Sequence, residues 1–105
     1  MKKLAVTASL LGMILSTAMA QDKWQKDHPR RSEVNHRLNN QDKRIHKEVK
    51  EGEMSKGEAA RLHKNDHEIR KEERGMAAQN HGHITKQEQK KLNHQENRNS
   101  KKIGN

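Results

Sequence analysis

The residues of this chain best suited to chemistry are its histidines. His63 and His67 are four residues apart, a spacing that places two imidazoles on one face of an α-helix, where they can bind one transition-metal ion. His81 and His83 flank a glycine, where the backbone is free to bend. If the fold brings the two pairs together, four ring nitrogens are available for Zn²⁺, Cu²⁺ or Ni²⁺. The alternative is that all eight histidines are solvated polar side chains; we expect no other cofactor.

The composition restricts what else the chain can do. It has 105 residues, no cysteine and a single aromatic residue, Trp24. It therefore has no thiol nucleophile, and it lacks the G-x-S-x-G motif of serine hydrolases. We also expect a core too sparse to desolvate an acid–base pair and shift its pKa values. The sequence therefore predicts that the protein is not an enzyme.

The first twenty residues have the three parts of a secretory signal peptide. Lys2 and Lys3 form a positive start, residues 4–14 are an uncharged apolar run, and A-x-A precedes Gln21. The apolar run is shorter than the about 20 residues that span a bilayer, and the alternative to cleavage is an uncleaved anchor. No cysteine is present for lipid attachment. We therefore predict that residues 1–20 are removed and that the protein is periplasmic or secreted.

The rest of the chain, residues 21–105, is basic and poor in apolar side chains. Because two of the 23 Lys and Arg lie in the predicted signal peptide, 21 remain against 14 Asp and Glu, a net charge of +7. Only nine Leu, Ile and Val remain, roughly 11% of this part. So few apolar residues predict marginal stability and make a homodimer plausible, because one chain cannot cover its own apolar stripes.

The positive charge favours anionic partners. Acidic or unfolded polypeptides and lipid head groups are both compatible with it. Nucleic acid is disfavoured, because an exported protein has little opportunity to meet it and the chain has no Phe or Tyr on which bases could stack. No segment after the signal is long and apolar enough to span a membrane.

An internal repeat indicates where helices begin. The block G-E-M-S-K-G-E at residues 52–58 aligns with G-H-I-T-K-Q-E at residues 82–88, an offset of 30. In each block the first glycine can close a helix in the left-handed conformation. The Ser or Thr, followed three residues later by Glu, is a capping box that begins the next helix. The predicted helices span about residues 30–51, 55–80 and 85–103.

These elements predict an all-α fold. We expect a small, marginally stable hairpin array of three antiparallel helices, with residues 21–31 as a flexible polar arm and residues 32–105 as the helical domain. Asp66 and Arg70, four residues apart, are expected to form a solvated ion pair. In the third helix, Asn99 stands where an apolar residue is expected.

The order of these pieces resembles a known family. The two blocks, with E-V-N-H-R-L at residues 33–38 and N-R-N-S-K-K-I at residues 97–103, resemble small exported helical proteins of Gram-negative bacteria. The resemblance covers most of residues 32–103 and implies architecture and export rather than chemistry. The blocks are also similar to the paired L-T-x-x-Q motifs of periplasmic chaperones of the Spy and CpxP type, although both have Glu in place of the final Gln. That similarity implies the binding of unfolded chains.

The same blocks resemble the second half of an EF-hand loop, in which Gly, an apolar residue, Ser or Thr, and Glu occupy positions 6, 8, 9 and 12. Positions 1, 3 and 5 are occupied by Lys47, Val49 and Glu51 in the first block and by Ala77, Gln79 and His81 in the second. Because a hard cation needs several oxygen ligands there, we expect no calcium binding. The resemblance implies instead a structural pair in which Met54 and Ile84 meet across the two turns.

The sequence therefore predicts a non-enzymatic, exported, basic helical protein that acts as a binding or chaperone-like module for anionic or unfolded partners. One alternative is a transition-metal-binding or buffering protein that uses the histidines. The other is an EF-hand-like pair kept as a structural module without calcium.

Overall fold

The described part of the chain is helical throughout. The computed structural model describes residues 22–104, and these residues form helices and turns with no strand, which confirms the all-α class. The predicted signal peptide lies outside the described residues. Three helices make up most of the structure: α1 (Pro29–Lys50), α2 (Lys56–Gln79) and α3 (Lys86–Ile103). Within residues 22–104, no helix combines the length and the apolar character that a membrane span requires.

The segment before α1 differs from the predicted arm. Residues 22–27 are helical, and Pro29 begins α1, where its missing N–H leaves no donor unsatisfied. The Trp24 and His28 rings stack at 4.8 Å, and the His28 N–H donates to the Trp24 carbonyl at 2.9 Å. Regular structure therefore begins before the predicted helix start at residue 30.

The first turn follows the predicted pattern in part. Gly52 has a φ of +76°, in the left-handed region that glycine favours, and the Glu53 N–H donates to the Glu48 carbonyl at 2.9 Å to close α1. The Ser55 hydroxyl then caps α2 by accepting from the Glu58 N–H at 3.1 Å. Only this half of the predicted capping box is formed.

The second turn closes one residue earlier than the repeat predicts. His81 takes the left-handed conformation with φ +55°, and Gly82 follows with φ +90° and donates its N–H to the Ala77 carbonyl at 2.8 Å. The capping box here is complete. The Thr85 hydroxyl accepts from the Glu88 N–H at 3.1 Å, and the Glu88 carboxylate accepts from the Thr85 N–H at 2.8 Å.

Each helix contacts the other two, and the core between them consists of two apolar clusters. The first cluster contains Val34, Leu38, Ile69, Ala77, Ile84 and Leu92. The second contains Ile45, Met54, Ala59, Leu62 and Ile103. Because Met54 and Ile84 belong to different clusters, at opposite ends of the 24-residue α2, the EF-hand-like pairing of these two side chains is not formed.

Candidate functional site

A layer of buried polar side chains lies between the two apolar clusters. This polar layer consists of Gln41, Asp66, Glu96 and Asn99. The buried residues of α1 fall at positions 34, 38, 41 and 45, and those of α3 at positions 92, 96, 99 and 103. Alternating spacings of four and three are typical of core positions in packed helices. The polar layer therefore occupies positions that would ordinarily be apolar.

Asn99 connects the three helices within this layer. Its Nδ2 donates to Asp66 Oδ1 at 2.6 Å, and its Oδ1 accepts from Asn65 Nδ2 at 3.1 Å. From α1, Gln41 Nε2 donates to the backbone carbonyl of Glu96 at 2.8 Å. Asn99, at a position where the sequence pattern predicts an apolar residue, is thus stabilised in the core by hydrogen bonds.

The two acids of the polar layer are removed from solvent. Burial, with a smaller contribution from the neighbouring Asp42 carboxylate, raises the pKa of Asp66 to about 7. Burial raises the pKa of Glu96 to about 8, although the Arg37 guanidinium opposes this. Two expectations are thereby wrong. We predicted a solvated ion pair of Asp66 with Arg70, but Asp66 is buried. We also predicted a core too sparse to desolvate acids, but this core buries both Asp66 and Glu96.

A second polar contact lies at the end of the molecule near the second turn. Arg31 Nε lies 2.9 and 3.2 Å from the two carboxylate oxygens of the buried Glu73, and Arg31 Nη1 donates to the Gly82 carbonyl at 3.2 Å. The guanidinium also lies 5.2 Å from the centre of the Trp24 ring. This contact joins α1, α2 and the second turn, and its acid is fully paired.

A groove runs along the surface between α2 and α3, beside the polar layer. Two adjoining cavities of about 570 and about 530 Å³ form this α2–α3 groove, and they share Asn65 and Lys102 in their linings. Asn99 also lines the groove, so the polar layer reaches its floor. The groove is lined by five cations and two acids, which are Arg61, Lys64, Arg98, Lys101, Lys102, Glu58 and Glu68.

The groove cations are not neutralised within the fold. None of the five has a carboxylate within 4.0 Å among the residues that the structure describes. Unpaired cations in a concave surface concentrate anions and increase the rate at which they bind. The arrangement can therefore bind an acidic partner.

The structure separates the two histidine pairs from which we predicted a metal site. His63 lies in α2, with Nδ1 3.1 Å from Asp42 Oδ1 and its ring centre 5.5 Å from that of His46. His81 and His83 lie in the turn beyond the other end of α2. The part of α2 from His63 to its end at Gln79 covers about 24 Å at 1.5 Å per residue.

The predicted site of four histidine nitrogens is therefore not formed. His67 is exposed, and the His83 ring stacks on that of His28 at 4.7 Å instead of approaching α2. Over residues 22–104, no group of three or more His, Cys, Asp or Glu side chains is placed to hold a metal ion. The physical reason is that a straight helix of this length cannot bring its middle and its end together.

The pattern of apolar residues alone does not predict the polar layer. The signal that reveals it is the spacing itself, which continues unbroken through Gln41 in α1 and through Glu96 and Asn99 in α3. The α2–α3 groove has no comparable signal. Its lining depends on how two helices pack against each other, which the order of residues along one helix does not specify.

Comparison of the chain with known protein families, with curated proteins and with solved structures found no match. What its residues define is a small basic all-α protein with a cationic groove beside a buried polar layer. Of the functions that the sequence predicts, the binding of anionic partners is the one that this arrangement favours.

Proposed function

We propose that this protein is a non-enzymatic, exported module of the periplasm, with a chaperone-like role, whose α2–α3 groove binds acidic segments of unfolded polypeptides. The observation that carries the proposal is the set of five groove cations without an ion-pair partner among residues 22–104. The signal-peptide pattern of residues 1–20 supports export. The resemblance to small exported helical proteins supports the same location.

The proposal includes the antiparallel order of the helices that the short turns predict. Contacts between α1 and α2 support it, because Arg31 pairs with Glu73 whereas Asp42, later in α1, pairs with His63, earlier in α2. In such an array the first half of α2 lies beside the last turns of α3. The five groove cations come from these two segments. The antiparallel order of α2 and α3 therefore brings the cations of both helices together in the groove.

The lining of the groove favours a polypeptide over a lipid surface. Besides the cations, the edges of the buried Leu62 and Ile69 contribute apolar atoms, and the exposed Asn65 contributes an amide oxygen that can accept from a peptide N–H. An extended acidic chain presents carboxylates, aliphatic stems and peptide groups, which match these three kinds of side chain. Stable insertion at a lipid surface needs instead a helix with a broad apolar face, and the Leu and Ile side chains of α2 and α3 are turned into the core.

The proposal is tested by fluorescence anisotropy with a labelled, unstructured Glu-rich peptide. We expect loss of three groove cations to weaken binding by roughly tenfold, because each contributes attraction to a bound carboxylate. Loss of three α1 lysines outside the groove lining changes the net charge equally and should weaken binding by only about two- to threefold. The groove variant is Arg98→Gln, Lys101→Gln and Lys102→Gln; the control variant is Lys43→Gln, Lys47→Gln and Lys50→Gln.

Equal losses in the two variants would show attraction to net charge alone and would contradict a groove site. A Gln-rich peptide of the same length should bind neither protein, and anionic vesicles should not compete with the Glu-rich peptide. Competition by vesicles would favour the lipid partner instead.

For the chaperone-like role, we expect the protein to suppress aggregation of an acidic client at equimolar ratio in low salt, with the suppression lost in high salt.

A further inference from the structure

The carboxyl group of Glu96 is the least satisfied polar group in the polar layer. Its side chain is fully buried, and neither carboxylate oxygen has a hydrogen-bond donor among residues 22–104. The nearest cation atom, Arg37 Nε, lies 3.7 Å from Oε1, beyond hydrogen-bond distance. An ionised carboxylate left in this state is strongly destabilising.

A protonated Glu96 suits the same surroundings. The neutral carboxyl group has an O–H to donate and no charge to solvate. Asp66 Oδ2, also in the polar layer, lacks a donor among residues 22–104 as well, and so does the buried Oδ1 of Asn93, one turn before Glu96 in α3. The polar layer thus has more acceptors than donors, and one added proton reduces the imbalance.

The charged groups that face Glu96 come from the other two helices. From α1 they are Glu33 and Arg37, and from α2 they are Asp66 and Arg70. The two acids favour the protonated form of Glu96, and the two arginines favour the ionised form. Burial is the largest influence and raises the pKa of Glu96 to about 8.

We propose that Glu96 is a proton-dependent latch: in its protonated form it allows α3 to pack against α1 and α2, and its ionisation loosens this packing and with it the α2–α3 groove. The half of the proposal that concerns the groove rests on the proposed binding function. The half that concerns packing rests on the polar layer alone.

The connection between the latch and the groove is short. Gln41 bonds to the backbone carbonyl of Glu96 and lies 3.5 Å from the Asn99 amide. Asn99 lines the groove and donates to Asp66. A movement of α3 that solvates an ionised Glu96 must therefore displace Asn99, which forms the floor of the groove.

The direction of the pH effect follows from the two states of Glu96. In the unfolded chain the carboxyl group ionises near its ordinary pKa of 4.5, whereas in the folded chain it ionises near 8. Below about pH 4.5 both states hold the proton, and the contribution to stability is complete. As the pH rises through 8 this contribution is lost, so the protein is less stable in alkali.

The stability half is tested by urea unfolding at pH 6.5 and pH 9 with the wild type and Glu96→Gln, which mimics the protonated form. We expect the unfolding equilibrium constant of the wild type to rise by roughly tenfold or more over this interval relative to that of the variant. Both proteins contain the same histidines and the same Asp66, whose pKa is about 7, so the comparison isolates the contribution of Glu96. Glu51→Gln, which changes an exposed acid at the end of α1 outside the groove, should follow the wild type. Parallel pH curves for the wild type and Glu96→Gln would overturn the latch.

The groove half is tested by binding of the Glu-rich peptide at the same two pH values, between which the charge of the peptide is constant. Asp66, whose pKa is about 7, also ionises over this interval in both proteins. We therefore expect the wild type to lose roughly tenfold more affinity at pH 9 than Glu96→Gln does. Equal losses in the two proteins would overturn the coupling between latch and groove. Absence of binding at both pH values, with the difference in stability intact, would overturn the proposed function and the coupling but support the packing half.

Discussion

At the scale of single residues, the molecule depends on polar side chains placed in its core. Buried polar groups generally reduce stability compared with well-packed apolar ones, but they can fix the register of packed helices. Asn99 meets α2 through Asp66 and Asn65, and lies close to Gln41 of α1. These contacts define how far along each helix the others pack. The apolar core, which contains only eleven of the residues that the structure describes, specifies this register weakly.

Replacement of Asn99 by Ala should therefore be costly. Asp66 loses its partner at 2.6 Å and stays buried, and we expect the free energy of unfolding to fall by about 2–3 kcal/mol. Urea unfolding at pH 7 measures this. Asn97→Ala on the same helix removes an exposed contact with Arg37 and should change stability by no more than about 0.5 kcal/mol. A similar small change for both variants would show that the polar layer does not hold the helices together.

The residues of the polar layer could be predicted only in part. Val34, Leu38 and Ile45 lie four and seven residues apart, a spacing that predicts one apolar face of a helix, and all three are fully buried. The same spacing places Gln41 between them, but residue type alone assigned it to solvent. Burial of a polar residue depends on partners from other helices, and those partners are distant in the sequence.

At the scale of elements, glycines and caps determine where the helices begin and end. The predicted bounds lie within about one residue of those of α1, α2 and α3, because Ser55 and Thr85 cap and Gly52 turns as their residue types favour. The exception is His81, which takes the left-handed role expected of Gly82. His81 and Gly82 both have a positive φ. Because the repeat has a glycine at only one of these two positions, it does not show that the left-handed conformation begins at the residue before the glycine.

The glycines of α2 and of the second turn should respond oppositely to substitution by Ala. Gly75 lies inside α2 with open space around it, so Gly75→Ala should stabilise the protein by about 1 kcal/mol. Gly82 has a φ of +90°, so Gly82→Ala should destabilise it by about 1–2 kcal/mol, although the added methyl group would meet no closer atom than His28 Nε2 at 3.7 Å. Thermal unfolding followed by circular dichroism measures both. A loss of stability in Gly75→Ala would mean that this part of α2 is not a regular helix.

At the scale of the whole molecule, charge acts on stability and on binding in opposite ways. The net charge of +7 over residues 21–105 makes the fold repel itself, while the unpaired groove cations attract anions. The internal ion pair of Arg31 with the buried Glu73 is shielded from solvent and responds weakly to salt. The composition alone shows the excess of positive charge. Its concentration in the α2–α3 groove depends on how the two helices pack, which the composition does not show.

Added salt should therefore raise stability and lower affinity in the same protein. Between about 20 and 300 mM NaCl the screening length falls well below the width of the molecule, so repulsion between distant lysines weakens. We expect the midpoint of thermal unfolding to rise by a few degrees and the affinity for the Glu-rich peptide to fall by roughly tenfold. Differential scanning calorimetry and anisotropy on the same samples measure the two effects. If salt instead lowered stability, surface ion pairs would dominate the electrostatics of the fold. If salt left the affinity unchanged, the excess of cations would not be what the groove uses to hold an acidic chain.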